Sequence, residues 1–106
     1  MTVDRTPPEA VARNARRGLE LHDKFGRGGT DVGLHRAQSL AARKPASVHD
    51  VETISSYFAR HAVDKQAKTY KCGDETDPSP GFVAWLLWGG DEGRAWADEL
   101  KAAAKA

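Results

Sequence analysis

The segment Ser79–Ala97 reads SPGFVAWLLWGGDEGRAWA and contains all three tryptophans of the chain. Ser79 followed by Pro80 is typical of a helix start, because serine caps helices and proline is tolerated at the first helical position. The run from Phe82 to Trp88 is apolar nearly all round, which is typical of a helix buried on every side. The segment therefore predicts a short central helix around which the rest of the chain packs.

A further helix is expected directly after this segment. Gly89 and Gly90 end the central helix, and Asp91 is expected to cap the next one. Its inward face is predicted to hold Trp96, Leu100 and Ala103, which recur at helical spacing.

The first helix is predicted over residues 7–24. Thr6 and Glu9 have the spacing of a capping box, and Pro7 fits the first helical position. Its inward residues are Val11, Ala15 and Leu19. The glycine-rich stretch 25–30 is expected to end it, since glycine readily adopts the left-handed conformation of a helix C-cap.

Two more helices are predicted between residues 30 and 62. The second helix is predicted to begin at Thr30 or Asp31 and to end before Pro45. Its inward residues are Gly33, Ala37, Leu40 and Ala41. The third helix opens with a capping box from Ser47 to Asp50. Its inward residues follow the clearest helical period in the chain: Val51, Ile54, Ser55, Phe58 and Ala62.

Length and composition predict one compact all-α domain of four or five short helices, spanning 1–106. Residues 1–6 and 104–106 are expected to fray, and 64–79 to form a polar connection. The 16 basic and 15 acidic residues leave a net charge of +1, which argues against general nucleic-acid affinity, unless charges cluster locally, and against an acidic mimic of DNA. No apolar run approaches the roughly 20 residues of a membrane span.

The chain contains four sequence blocks: ARRGLE at 15–20, FGRGGT at 25–30, SYFARH at 56–61 with VDK at 63–65, and AWLLWGGD at 84–91 with GRAW at 93–96. Together and in this order, these blocks resemble a small helical domain that recurs in tailed-bacteriophage and prophage proteins. The resemblance covers residues 8–97, and the stretch 66–77 departs from the family's pattern. It implies a phage or prophage origin, a location in the host cytoplasm or the virion, and a role as virion component, nucleic-acid accessory factor or modulator of a host protein.

Two basic surfaces are candidates for contact with nucleic acid. The leading group interleaves positive charge with an aromatic ring that stacks on unpaired bases, and comprises Tyr57, Arg60, His61, Lys65, Lys68 and Lys71. The alternative basic face comprises Arg13, Arg16, Arg17, Arg36, Arg43 and Lys44. Part of it surrounds the turn at Pro45, where two capped helices resemble a helix-turn-helix. The acidic Asp50 and Glu52 at the start of the would-be recognition helix argue against that role.

No residue set indicates catalysis, a cofactor or a metal. His61, Cys72 and Asp74 do not have the paired spacing of a zinc site, and the single cysteine cannot form an internal disulfide. The sequence therefore predicts a non-enzymatic binding module that associates with nucleic acid. The alternative is a module that binds a phage or host protein through an apolar surface near the tryptophans.

Overall fold

The central apolar segment forms a helix, α4, over Pro80–Leu87 in the computed structural model, which describes residues 4–62, 76 and 78–104. The Ser79 hydroxyl accepts a hydrogen bond from the Phe82 backbone N–H at 3.2 Å, and Pro80 occupies the first turn. Phe82, Val83, Trp85 and Leu87 are buried. The predicted start, end and burial of this helix are confirmed.

Four other helices surround α4 within the described residues, where no strand occurs. They are α1 Glu9–Phe25, α2 Asp31–Ala41, α3 Val48–His61 and α5 Gly90–Ala104. The predicted all-α class is confirmed. The largest fully buried side chains that lie in helices come from α1, α3 and α4: Val11, Leu21, Ile54, Phe58, Val83 and Leu87.

Helix α1 packs against α2, α4 and α5, and α3 packs mainly against α5. The approach of α1 to α4 is close because Gly18 lies at the crossing. A methyl group at Gly18 would lie 2.8 Å from the Leu87 backbone nitrogen and 3.1 Å from the Leu86 carbonyl carbon. A side chain at this position would therefore push the two helices apart.

Three predicted helix termini are confirmed. Ser47 and Asp50 form a reciprocal capping box at the start of α3, with both hydrogen bonds at 3.0 Å. The Thr30 hydroxyl accepts from the Gly33 N–H at the start of α2. Gly26 has a left-handed conformation, with φ 65°, and caps the C-terminus of α1.

The predicted start of α1 is wrong. The helix begins at Glu9 with Pro8 as N-cap, and no side chain caps it. Pro8 disfavours the helical conformation for the residue before it, so Pro7 cannot be the first helical residue. Glu9 pairs with Arg16 instead of closing a capping box.

The end of α2 also differs from the prediction, because the helix ends at Ala41 rather than next to Pro45. Arg43 takes a left-handed conformation with φ 54°. The Arg43 N–H donates to the Leu40 carbonyl and the Lys44 N–H to the Ser39 carbonyl, which is the Schellman pattern. Arginine rarely occupies the left-handed position, so the sequence did not indicate this end.

Two expectations for α5 are wrong. The helix begins at Gly90, so Asp91 lies inside its first turn and is not the cap. Trp96 and Ala97 are buried, whereas Ala103 is exposed because the C-terminal end of α5 extends beyond the core.

The segment before α1 is anchored to the turn between α2 and α3. Arg5 lies in the stretch expected to fray, yet its Nε donates to the Ala46 carbonyl at 2.8 Å, and the Ala46 N–H donates to the Arg5 carbonyl at 2.9 Å. These two hydrogen bonds join residues that are 41 positions apart.

Replacing Gly18 with alanine tests the close approach of α1 to α4. Overpacking against backbone costs about 1–3 kcal/mol and alanine regains roughly 1 kcal/mol of helix propensity. We expect Gly18→Ala to lower the free energy of unfolding by up to about 2 kcal/mol in urea titrations. Gly26→Asn is the control, because asparagine tolerates the left-handed cap and nothing lies within 4 Å of a Cβ there. Equal or greater stability of Gly18→Ala would contradict the assigned packing.

Candidate functional site

Aromatic rings from α3 and α4 form one cluster between the two helices. The Tyr57 ring stacks on Trp88 with centroids 4.4 Å apart and planes 7° apart. Phe58 meets Trp85 edge to face at 4.7 Å, and the His61 ring lies 4.6 Å from Tyr57. Stacked and edge-to-face pairs add to the stabilisation that burial already provides. The cluster therefore joins α3 to the central helix.

Trp85 is also held by a hydrogen bond to the start of α5. Its indole Nε1 donates to Asp91 Oδ1 at 2.8 Å, and the side chain is buried. A buried indole N–H requires an acceptor. Asp91, expected as a helix cap, instead fixes the orientation of this ring.

Arg36 of α2 contacts the Trp88 ring. The guanidinium lies 5.7 Å from the Trp88 ring and pairs with Asp50 at 3.0 Å. Among the described residues, Arg36 Nε is buried without a hydrogen-bond partner. The Ser47 backbone N–H, followed by the Arg36 side chain, lowers the pKa of Asp50 below its ordinary value of 3.8 despite some desolvation. The Asp50 carboxylate thus accepts the capping hydrogen bond at the start of α3 and also forms the ion pair between α2 and α3.

A groove opens beside the aromatic cluster, and we call it the α3–α4 groove. Its volume is about 540 Å³, within the range of about 300–1,000 Å³ typical of ligand sites. The described residues that line it come from the loop before α2, the start of α2, the C-terminal half of α3 and one side of α4: Gly28, Gly29, Thr30, Val32, Thr53, Tyr57, Arg60, His61, Pro80, Gly81, Ala84, Trp85 and Trp88. Val32, one of the lining residues, is 62% exposed.

The sequence-predicted nucleic-acid group divides into three parts in the structure. Arg60 is exposed and His61 half-buried, and both line the α3–α4 groove. Tyr57 is only 7% exposed and stacks on Trp88, so its ring is not the exposed stacking platform that was expected. Lys65, Lys68 and Lys71, with Cys72, lie outside the described residues.

Most of the alternative basic face is occupied by contacts within the fold. Arg16 pairs with Glu9 and donates to the Ala41 carbonyl, and Arg17 pairs with Glu20. Arg43 Nε donates to the Pro7 carbonyl at 2.8 Å, and Arg36 pairs with Asp50. Arg13 and Lys44 are exposed. The helix pair around Pro45 therefore uses its arginines to hold helices together, which weakens its resemblance to a DNA-reading motif.

Sequence reasoning missed the residues that shape the groove from the α2 side. Gly28 lies in the glycine-rich stretch that was expected only to end α1, and Val32 lies in the predicted second helix but was not assigned to a site. His22 Nδ1 holds the glycine-rich stretch through the carbonyl oxygens of Arg27 and Gly28 at 3.2 and 2.9 Å. Both carbonyls are acceptors, so Nδ1 carries a proton. An exposed valine beside a helix cap was the available signal.

The part of the chain that the structure describes forms neither a metal-ligand cluster nor a helix that could cross a bilayer. The described residues bring together no group of three histidine, cysteine, aspartate or glutamate side chains suited to a metal ion. Within residues 4–62, 76 and 78–104, no helix has the length and apolar content that crossing a bilayer requires.

Comparison with known proteins identifies no relative: no family model, curated protein or solved structure matches the chain. The function proposed for this protein therefore rests on the geometry of the α3–α4 groove.

The double role of Asp50 predicts a defined stability loss. Asp50→Ala removes the cap acceptor and leaves Arg36 without its carboxylate, so we expect a loss of about 1–3 kcal/mol in urea unfolding. Asp50→Asn keeps a cap acceptor and should lose less. Glu52→Ala, an exposed change in the same turn, is the control and should have little effect.

The lowered pKa of Asp50 also sets the pH dependence of this loss. The carboxylate is more acidic in the folded chain than its ordinary value of 3.8, so its stabilisation is complete above that value and is lost as pH falls through the lowered pKa. The difference in unfolding free energy between wild type and Asp50→Asn should shrink in that acid range. A difference independent of pH would contradict the ionised pair.

Proposed function

We propose that this protein is a non-enzymatic module that binds another protein through the α3–α4 groove. The observation that carries the proposal is a largely apolar groove in which Val32 is 62% exposed, backed by the rings of Trp85 and Trp88, which are only 3% and 7% exposed. Exposed apolar surface beside aromatic anchors is typical of protein-binding sites. The sequence resemblance adds a phage or prophage origin to the proposal, with the partner a phage or host protein in the host cytoplasm or the virion.

Several contacts favour a protein partner over nucleic acid. Sequence-independent nucleic-acid binding requires a track of cations that are available to phosphates. In the described part of the chain, Arg16, Arg36 and Arg43 make contacts within the fold, and the Tyr57 ring is stacked on Trp88. Arg60 and His61 remain at the groove. Nucleic-acid association through them is the competing function that the experiment must distinguish.

A peptide-display selection with two matched valine variants tests the proposal. Val32→Asp places a charge at the groove edge, whereas Val48→Asp places one on the 51%-exposed valine at the start of α3, outside the groove lining. An acidic residue suits the first turn of either helix, so both variants should fold. Burying one valine contributes about 1.5–3 kcal/mol. Peptides selected on the wild type should therefore lose roughly tenfold or more in affinity to Val32→Asp and none to Val48→Asp.

Two results would contradict a protein-binding groove. One is a selection that yields no peptide sensitive to Val32→Asp. The other comes from fluorescence anisotropy with single- and double-stranded DNA and RNA at several salt concentrations. Salt-sensitive binding that Arg60→Glu weakens and Val32→Asp leaves unchanged would assign the site to nucleic acid.

A further inference from the structure

We infer that the α3–α4 groove selects a peptide segment in which an apolar side chain lies next to a carboxylate. The apolar group occupies the aromatic-walled part of the groove, and the carboxylate pairs with Arg60 at its mouth. This inference rests on the proposed function and specifies the chemistry of the partner. It is carried by charge complementarity around the groove.

The described side chains that line the groove are positive or neutral. Arg60 is exposed on the last turn of α3, one turn after Tyr57, and within the described residues it makes no ion pair. His61 is its neighbour in the lining. None of the described lining residues carries a carboxylate. Within the described part of the lining, an acidic group beside Arg60 therefore meets a cation and no carboxylate.

Two helix N-termini add positive potential to the same groove. The start of α2 lines the groove with Thr30 and Val32, and the start of α4 lines it with Pro80 and Gly81. The Thr30 and Ser79 hydroxyls each accept from one first-turn N–H group, and the helix dipole favours negative charge beside both helix ends. Asp31 is exposed in the first turn of α2 and offsets part of that field, but it is not among the lining residues.

The apolar part of the groove fits a side chain rather than a folded element. Val32, Ala84 and Trp88 supply apolar surface in a volume of about 540 Å³. Short peptide motifs bind such sites with one or two apolar anchors flanked by polar groups. The occupant is therefore an extended or helical segment that inserts one anchor.

The rings that wall the groove disfavour a nucleic-acid strand. Base stacking requires an open ring face, whereas the Tyr57 and Trp88 rings face one another with centroids 4.4 Å apart, and Arg36 lies 5.7 Å from the Trp88 ring. A strand also uses several cations along its backbone. Arg60 can pair with one carboxylate, which is what an acidic peptide requires.

Two fluorescent dyes with the same rings test the charge preference. One is 1-anilinonaphthalene-8-sulfonate, an anion, and the other is N-phenyl-1-naphthylamine, its neutral counterpart. We expect the anion to bind the wild type roughly tenfold more tightly at low salt, with the difference decreasing as salt increases. Arg60→Gln should abolish the preference without affecting the neutral dye. Arg13→Gln, an exposed change on α1 outside the lining, should preserve it.

Displacement of the anionic dye then identifies the class of partner. The probes are two synthetic peptides of identical apolar content, one carrying glutamates and the other glutamines, and a single-stranded oligothymidine. The glutamate peptide should displace the dye roughly tenfold more effectively than the glutamine peptide, and Arg60→Gln should remove that advantage. Oligothymidine should not displace it.

The outcomes separate this inference from the proposed function. Equal binding of both dyes, or equal displacement by both peptides, would overturn the charge preference and leave an apolar protein-binding groove. Displacement by oligothymidine would overturn the peptide assignment. Failure of both dyes to bind, or binding that Val32→Asp leaves unchanged, would remove the groove as a site and the proposed function with it.

Discussion

The structure depends on the burial of α4, an eight-residue helix that is apolar on nearly every side. Such a helix is stable only when neighbours cover it from several directions. Helix α1 covers one side through the close approach at Gly18, α2 and α5 cover others, and α3 reaches α4 through aromatic side chains. The remaining helices are arranged around this requirement.

The same requirement creates the α3–α4 groove. Helix α3 packs its backbone mainly against α5, so the space between α3 and α4 is bridged by rings rather than filled by close helix packing. Polar contacts at the edges then fix those rings, with Asp91 on Trp85 and the Arg36–Asp50 pair beside Trp88. A wall that is rigid before binding reduces the entropy lost on association. The interactions that stabilise the core therefore also preorganise the proposed site.

Much of the fold could be predicted because its signals are local. The Ser79-Pro80 start, the Ser47 capping box and the glycine cap at Gly26 depend on neighbours within a few residues, and all three are observed. Two misplaced ends show the limit of such signals. Consecutive prolines moved the start of α1, and Arg43 adopted a left-handed conformation that the residue type does not indicate.

The site could be predicted less well because its features depend on tertiary neighbours. The helical period placed Val51, Ile54 and Phe58 inward and left Tyr57 for the surface, whereas Trp88 of α4 buries it. Arg36 was assigned to a basic face, but Asp50 of the next helix neutralises it. Contacts between residues far apart in the chain decide whether an aromatic ring or an arginine is available to a partner, and spacing along one helix does not encode them.

Amide and indole chemical-shift mapping locates the binding surface residue by residue when the isotope-labelled protein is titrated with a groove-selected peptide. We expect the largest shifts at Gly28–Val32, at Tyr57–His61 and at Gly81–Trp88, including the indole N–H signals of Trp85 and Trp88. The basic face of α1 around Arg13 should be unaffected. Shifts concentrated on α1, or absent from both indoles, would contradict the assignment of the α3–α4 groove as the binding surface.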